Sequence, residues 1–274
     1  MDTIVYVVMP QLLLVLFGTL LGIWAILMRR SDLNLESGAV RLGRIGAVAY
    51  VLWLVAVTAA QHQVPMLNPG QLAFFLGGFI WLGQCYSQYR IDQRLFALLP
   101  LLGVLGLMVF GVIAGLTPGR VAQELQGAGP AVHVTMSLAG VALLLGAGVY
   151  GAGHVILHHH INNRRFDTWF NRLPSLGDLD RLRRLTLNTG TVLVAVSLLS
   201  AMIWAARQAS DEPTIVSHLH PMLLLTAVLV VLVAVDRFRW LSSRNLAVAS
   251  VVMSVLVLAL LTVSVVEIFA GRAA

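Results

Sequence analysis

Two stretches of the chain concentrate groups able to bind a metal. "SHLHP", from Ser217 to Pro221, sets two histidines two residues apart, and "HVILHHH", from His154 to His160, holds four. Neutral imidazole is the commonest metal ligand. The i, i+4 spacing of His154 and His158 puts both rings on one helix face. The chemistry in prospect is ligation of a metal or of haem iron; the plainer alternative is a wet polar fringe at a membrane edge. Cys85 is the single cysteine, so neither an internal disulfide nor a thiolate metal cage can form. No nucleophile beside a base and no acid–base pair stands out, so no enzymatic activity is expected.

The elements that must position these rings are membrane helices. Of 274 residues, 58% are hydrophobic and 11% charged, with a mean hydropathy of +0.86. A soluble domain of this length would carry far more charge. The net charge of +6 could suit nucleic acid, but every basic residue is arginine, placed in short breaks between apolar runs. That is an orientation signal, so a lipid bilayer and no nucleic acid is the expected partner. A bilayer core takes roughly 20 apolar residues per helix. The pattern predicts a single all-α integral membrane domain over residues 1–274, with eight transmembrane helices near 3–28, 44–61, 71–88, 95–116, 131–157, 187–206, 219–236 and 245–270. The opening "MDTIVYVVMPQLLL" has neither a basic n-region nor a small-residue cleavage site and is expected to be a retained helix.

Counting arginines by alternate breaks gives fifteen on one side and three, Arg120, Arg207 and Arg272, on the other. The rich side is predicted to be cytoplasmic, with both termini outside an inner membrane. Between the fifth and sixth spans, "TWFNRLPSLGDLDRLRRLTL" repeats leucines at helical spacing with acids ahead of bases. This predicts one cytoplasmic amphipathic surface helix from about Ser175 to Leu185, with Leu176, Leu179 and Leu182 toward lipid or protein. A solvated connector is the alternative.

This topology sorts the histidines. His154, His158, His159 and His160 fall at the inner end of the fifth span, while His62, His133, His218 and His220 fall on the outer face. Pro130 and Pro221 are expected in the first turns of the fifth and seventh helices, where a missing N–H costs nothing. Positive helix ends there would keep the rings neutral and suit a carboxylate such as a haem propionate. His133 and His220 are therefore expected to approach one another and to flank one iron. His220 is preferred to His218 because it abuts Pro221, and His62 is a further candidate. The alternative is interfacial histidines bonded to lipid or loop. No ionisable residue falls near the centre of a predicted span, which argues against an ion-coupled transporter. The small residues of "LAGVALLLGAGVYGAG" predict close helix packing, though they could also flank a flat cofactor.

The segment "LPSLGDLDRLRRLTLNTGTVLVAVSLLSAMIWA" resembles the loop-and-helix signature of the CcsA/HemX cytochrome c assembly family. "AVHVTMSLAGVALLLGAGVYGAGHVIL" is similar to the family helix whose first turn carries an outer-face haem-ligand histidine. The order of elements also agrees over essentially the whole chain, most closely with the small eight-helix, YpjD-like branch. The resemblance implies a role in cytochrome c or haem-handling assembly, with haem as cofactor, His133 as the outer-face ligand and His220 as its partner. His62 would match a histidine near the end of the second family helix. One departure is plain: where the synthase branch has a tryptophan-rich WGxxWxWD loop, this chain has "RQASDEPTIVSHLHP", without tryptophan. Thioether-forming synthase activity is therefore not expected. The rival expectation is a cofactor-free membrane scaffold for a transporter or assembly complex.

Overall fold

The computed structural model describes residues 4–27, 33–61, 69–90, 94–116, 128–164, 174–208, 213–238 and 240–270. Among these there is no strand. The chain forms α1 (Met9–Leu27, entered through a π-helical turn, Ile4–Val8), α2 (Leu33–Gln61), α3 (Pro69–Arg90), α4 (Arg94–Ala114), α5 (Ala128–Asn162), α6 (Leu176–Gln208), α7 (Pro213–Arg237) and α8 (Ser243–Ala270). Each overlaps one of the expected apolar runs. Among the described residues, five stretches are long and apolar enough to cross a membrane: Tyr6–Leu27, Ser37–Ala59, Val132–Asn162, Leu176–Ala206 and Ser243–Val263. Pro100–Ala114 is a shorter apolar helix. Large apolar side chains such as Val15, Leu52, Ile113, Leu199, Leu224 and Val255 stand exposed on the outer faces, as contact with lipid requires.

The helices gather into two compact units, Met1–Gln123 and Glu124–Ala274. In the first, α1 buries Leu13, Phe17, Leu20, Trp24 and Leu27. Their alternating spacing of four and three residues makes a single seam along the helix. That seam joins Tyr50, Trp53 and Val57 of α2, Phe74 and Trp81 of α3, and Leu101, Val104 and Met108 of α4. Two of the buried rings turn their polar tips to backbone, Trp81 Nε1 donating to the Gly43 carbonyl (3.1 Å) and Tyr50 Oη to that of Phe75 (3.1 Å).

In the second unit α5 packs on α6 and α8, and α6 also packs on α7. The glycines of α5 permit this. A methyl at Gly140 would stand 2.7 Å from Val194 Cγ2 and 3.1 Å from the Gly190 carbonyl of α6, and one at Gly151 would stand 2.7 Å from the Ala247 carbonyl of α8. Such backbone proximity needs small residues. Ser254 Oγ of α8 then reaches the Leu144 carbonyl of α5 (2.6 Å).

Two expectations are corrected here. The segment from Ser175 to Leu185 is helical, but it is not a separate surface helix; it is the first part of α6, which runs unbroken into the apolar run after it. Ser175 starts the helix, its hydroxyl accepting from the Asp178 N–H (3.1 Å) and donating to the Asp178 carboxylate (2.7 Å). Nothing downstream ends it, because the 33 residues of α6 contain no proline. Leu179 and Leu182 are buried in protein. At 1.5 Å per residue the helix is about 50 Å long against a core of about 30 Å, so it exceeds the membrane it can span. Secondly, α7 begins at Pro213, whose ring suits a first helical turn. Pro221 therefore lies in the third turn, not the first.

Candidate functional site

At the end of the second unit where α5 finishes and α6 begins, four charged side chains converge. Arg183 of α6 is fully buried. Its Nη2 donates to Asp180 Oδ1 (2.8 Å) and to Asp236 Oδ1 of α7 (3.0 Å), and its Nη1 to Ser250 Oγ of α8 (3.3 Å). Arg184 Nε reaches Asp180 Oδ2 at 2.9 Å and Asp236 Oδ1 at 3.7 Å. Arg183 Nε (3.2 Å) and Ser243 Oγ (2.8 Å) also donate to Asp180 Oδ1. Two acids thus meet two bases, which a buried charge requires. The cluster ties three helices together. The sequence reading set these groups toward water and missed the pairing of α6 with α7. One signal was present: Asp236 sits in the last turn of α7, where a helix end disfavours an anion unless a cation compensates.

The histidines of α5 border this end. His154 is buried, and its Nδ1 has no hydrogen-bond partner among the described residues. Its ring lies parallel to that of His158, with centroids 6.5 Å apart, so the i, i+4 pair does share a face. Among the described residues no group of three or more histidine, cysteine, aspartate or glutamate side chains could hold a metal.

Of the four outer-face candidates, His133 is the one whose side chain is described. His62 lies outside the described residues, as do the side chains of His218 and His220, whose backbone belongs to α7. Positions 218 and 220 are two apart on one helix, so they fall on opposite sides and only one can face a given neighbour. Both lie beyond the first turn of α7, where the dipole argument for neutrality fades. His133 is held by α6. Its Nδ1 is 2.9 Å from both the Ser197 carbonyl and Ser197 Oγ, and Ser197 Oγ donates to the His133 carbonyl (2.9 Å). One assignment satisfies every group: the serine proton goes to the His133 carbonyl, and the ring proton sits on Nδ1 and goes to the Ser197 carbonyl. The lone pair is then on Nε2. This is how a ligating histidine is oriented by its surroundings, the far nitrogen fixed and the near one presented. Sequence reasoning singled out His133 but not Ser197, 64 residues away. No family profile, no curated protein and no solved structure matches the chain.

Proposed function

We propose that the chain is an eight-span protein of a bacterial inner membrane, with both termini outside, acting as an accessory of cytochrome c or haem-handling assembly. It would bind haem at the outer face through His133 and one histidine of α7, His220 before His218. The observation that carries this reading is the grip of Ser197 on His133 Nδ1, which presents Nε2 as an iron ligand. In that respect the residues described fit a haem. The group would supply an iron centre able to pass between haem-bearing partners, and the N-terminal turns of α5 and α7 would meet its carboxylates. The chain's own part is to fix one imidazole tautomer and to keep the ring at the helix end. The arginine asymmetry supports the orientation, and the breaks between helices support eight crossings.

A visible absorption spectrum of the full-length protein in detergent, titrated with haem, tests the reading. A low-spin bis-imidazole Soret band is expected, lost in His133→Ala and kept in His154→Ala. Ser197→Ala should weaken haem affinity by about 10–100-fold, the usual cost of losing a ligand's orienting partner. If haem leaves the spectrum unchanged, or if His133→Ala still binds it normally, the second reading takes over: a cofactor-free scaffold for membrane partners. What favours that alternative is that protein groups alone pair within the charge cluster, which joins α6, α7 and α8.

A further inference from the structure

The second unit has a cavity of about 250 Å3 that plays no part in the reading above. His158, His159, His160 and Asn162 line it from α5, and Arg244, the second residue of α8, lines it from the facing helix. Val155 and Ile156 complete the wall. The polar lining is rich in donors. A guanidinium has five N–H groups and no acceptor, and imidazole donates in either charge state. No carboxylate borders the cavity among the described residues. Arg244 makes no ion pair among them either; Asp180 and Asp236 are held by Arg183 and Arg184, and the Asp178 carboxylate accepts from Ser175. One nitrogen of His159 is engaged by Asn163 Nδ2 (2.8 Å). Arg244 also stands in the first turn of α8, where the helix dipole adds to its charge.

Depth identifies the ligand class. The lining belongs to the last two turns of the apolar stretch Val132–Asn162 and to the start of Ser243–Val263. That is the level where hydrocarbon gives way to headgroups, whichever side of the membrane it faces. Phe238 and Trp240, exposed and stacked with centroids 5.6 Å apart, lie just before α8; aromatic residues gather at such boundaries. Ile156 is half exposed beside these donors, so a polar surface and an acyl-compatible one adjoin. The volume falls below the roughly 300–1,000 Å3 of sites for whole small molecules, and suits a headgroup whose chains remain outside.

We propose that this cavity binds the phosphate of an anionic membrane lipid, with Arg244 as its principal contact and the α5 histidines as further donors. The site is independent of haem. Native mass spectrometry of the full-length protein in detergent, titrated with phosphatidylglycerol or phosphatidylcholine, tests it. Phosphatidylglycerol adducts should form at about tenfold lower lipid concentration, and Arg244→Gln should weaken them by about tenfold, the scale of one charge-assisted contact. Arg181→Gln, which removes an exposed charge at the same end of α6, should leave them unchanged. Equal binding of the two lipids by the unsubstituted protein would overturn the proposal, as would equal losses from the two substitutions. Displacement of phosphatidylglycerol by millimolar inorganic phosphate would overturn the lipid as occupant.

Discussion

The two helical units solve the same problem by different means. Unit 1 is filled with rings: Trp53 and Phe74 lie 4.6 Å apart, and Phe17 meets Trp81 edge-on at 5.0 Å. Unit 2 buries no phenylalanine or tryptophan among the described residues; close backbone approach is common to both, at Gly70 and Gly111 in unit 1 and at Gly140 and Gly190 in unit 2. Buried polar side chains divide accordingly. Gln71 and Gln84 are in unit 1, whereas His154, Arg183, Thr191, Ser197, Thr226, Asp236, Ser250 and Ser254 are in unit 2. Between helices in lipid the hydrophobic effect contributes little, so association must come from shape or from polar contacts. Both units use close backbone packing; unit 1 adds interlocked rings and unit 2 adds buried polar pairs.

From that contrast, charge removal should harm unit 2 most. Asp236→Ala leaves Arg183 buried with half its compensation, and should cost about 3–5 kcal/mol. The double substitution Arg183→Met, Asp236→Leu should be less harmful than Asp236→Ala alone. Thermal unfolding in detergent would show it, and a double variant no more stable than the single one would remove charge pairing as the reason.

Close approach makes the next largest difference. Gly140→Ala forces a methyl to 2.7 Å from Val194, an overpacking expected to cost about 1–3 kcal/mol. Gly146 faces neighbours no nearer than 3.8 Å. There alanine should be neutral or stabilising by up to about 1 kcal/mol, because it holds a helix better than glycine. Comparing the two midpoints separates backbone crossing from general helix propensity. The smallest effect is expected where a ring of unit 1 loses only its polar tip. Tyr50→Phe keeps the ring and loses only the bond to the Phe75 carbonyl, about 0.5–1.5 kcal/mol; a denaturant midpoint shifted as far as by Asp236→Ala would blur the contrast.

The units also differ in how far the sequence revealed them. Apolar runs located the eight helices because hydropathy reports position along a chain, and the glycines of α5 announced its close neighbours. What hydropathy does not report is which way a helix face is turned. "GDLDRLRR" has the composition of a water-facing surface, yet Arg183 points into the protein because Asp236 awaits it there. His133 was legible as a ring at a helix start. Ser197 was not, since a lone serine in an apolar helix more often bonds back to its own backbone. The start of α7 was misplaced for a related reason: "PTIVSHLHP" offers two prolines able to open a helix, and the chain uses the first.

The length of α6 bears on how the protein is made. Arg183 leaves the ribosome 53 residues before Asp236, and at about 5–20 residues per second that is an interval of roughly 3–10 s. During it the guanidinium has no α7 to pair with. Asp180, three residues earlier on the same helix and 2.8 Å away in the finished structure, is present from the start. A carboxylate supplied by the nascent helix itself lets α6 enter the bilayer with its arginine already compensated, and the bond to Asp236 then closes when the following helix arrives.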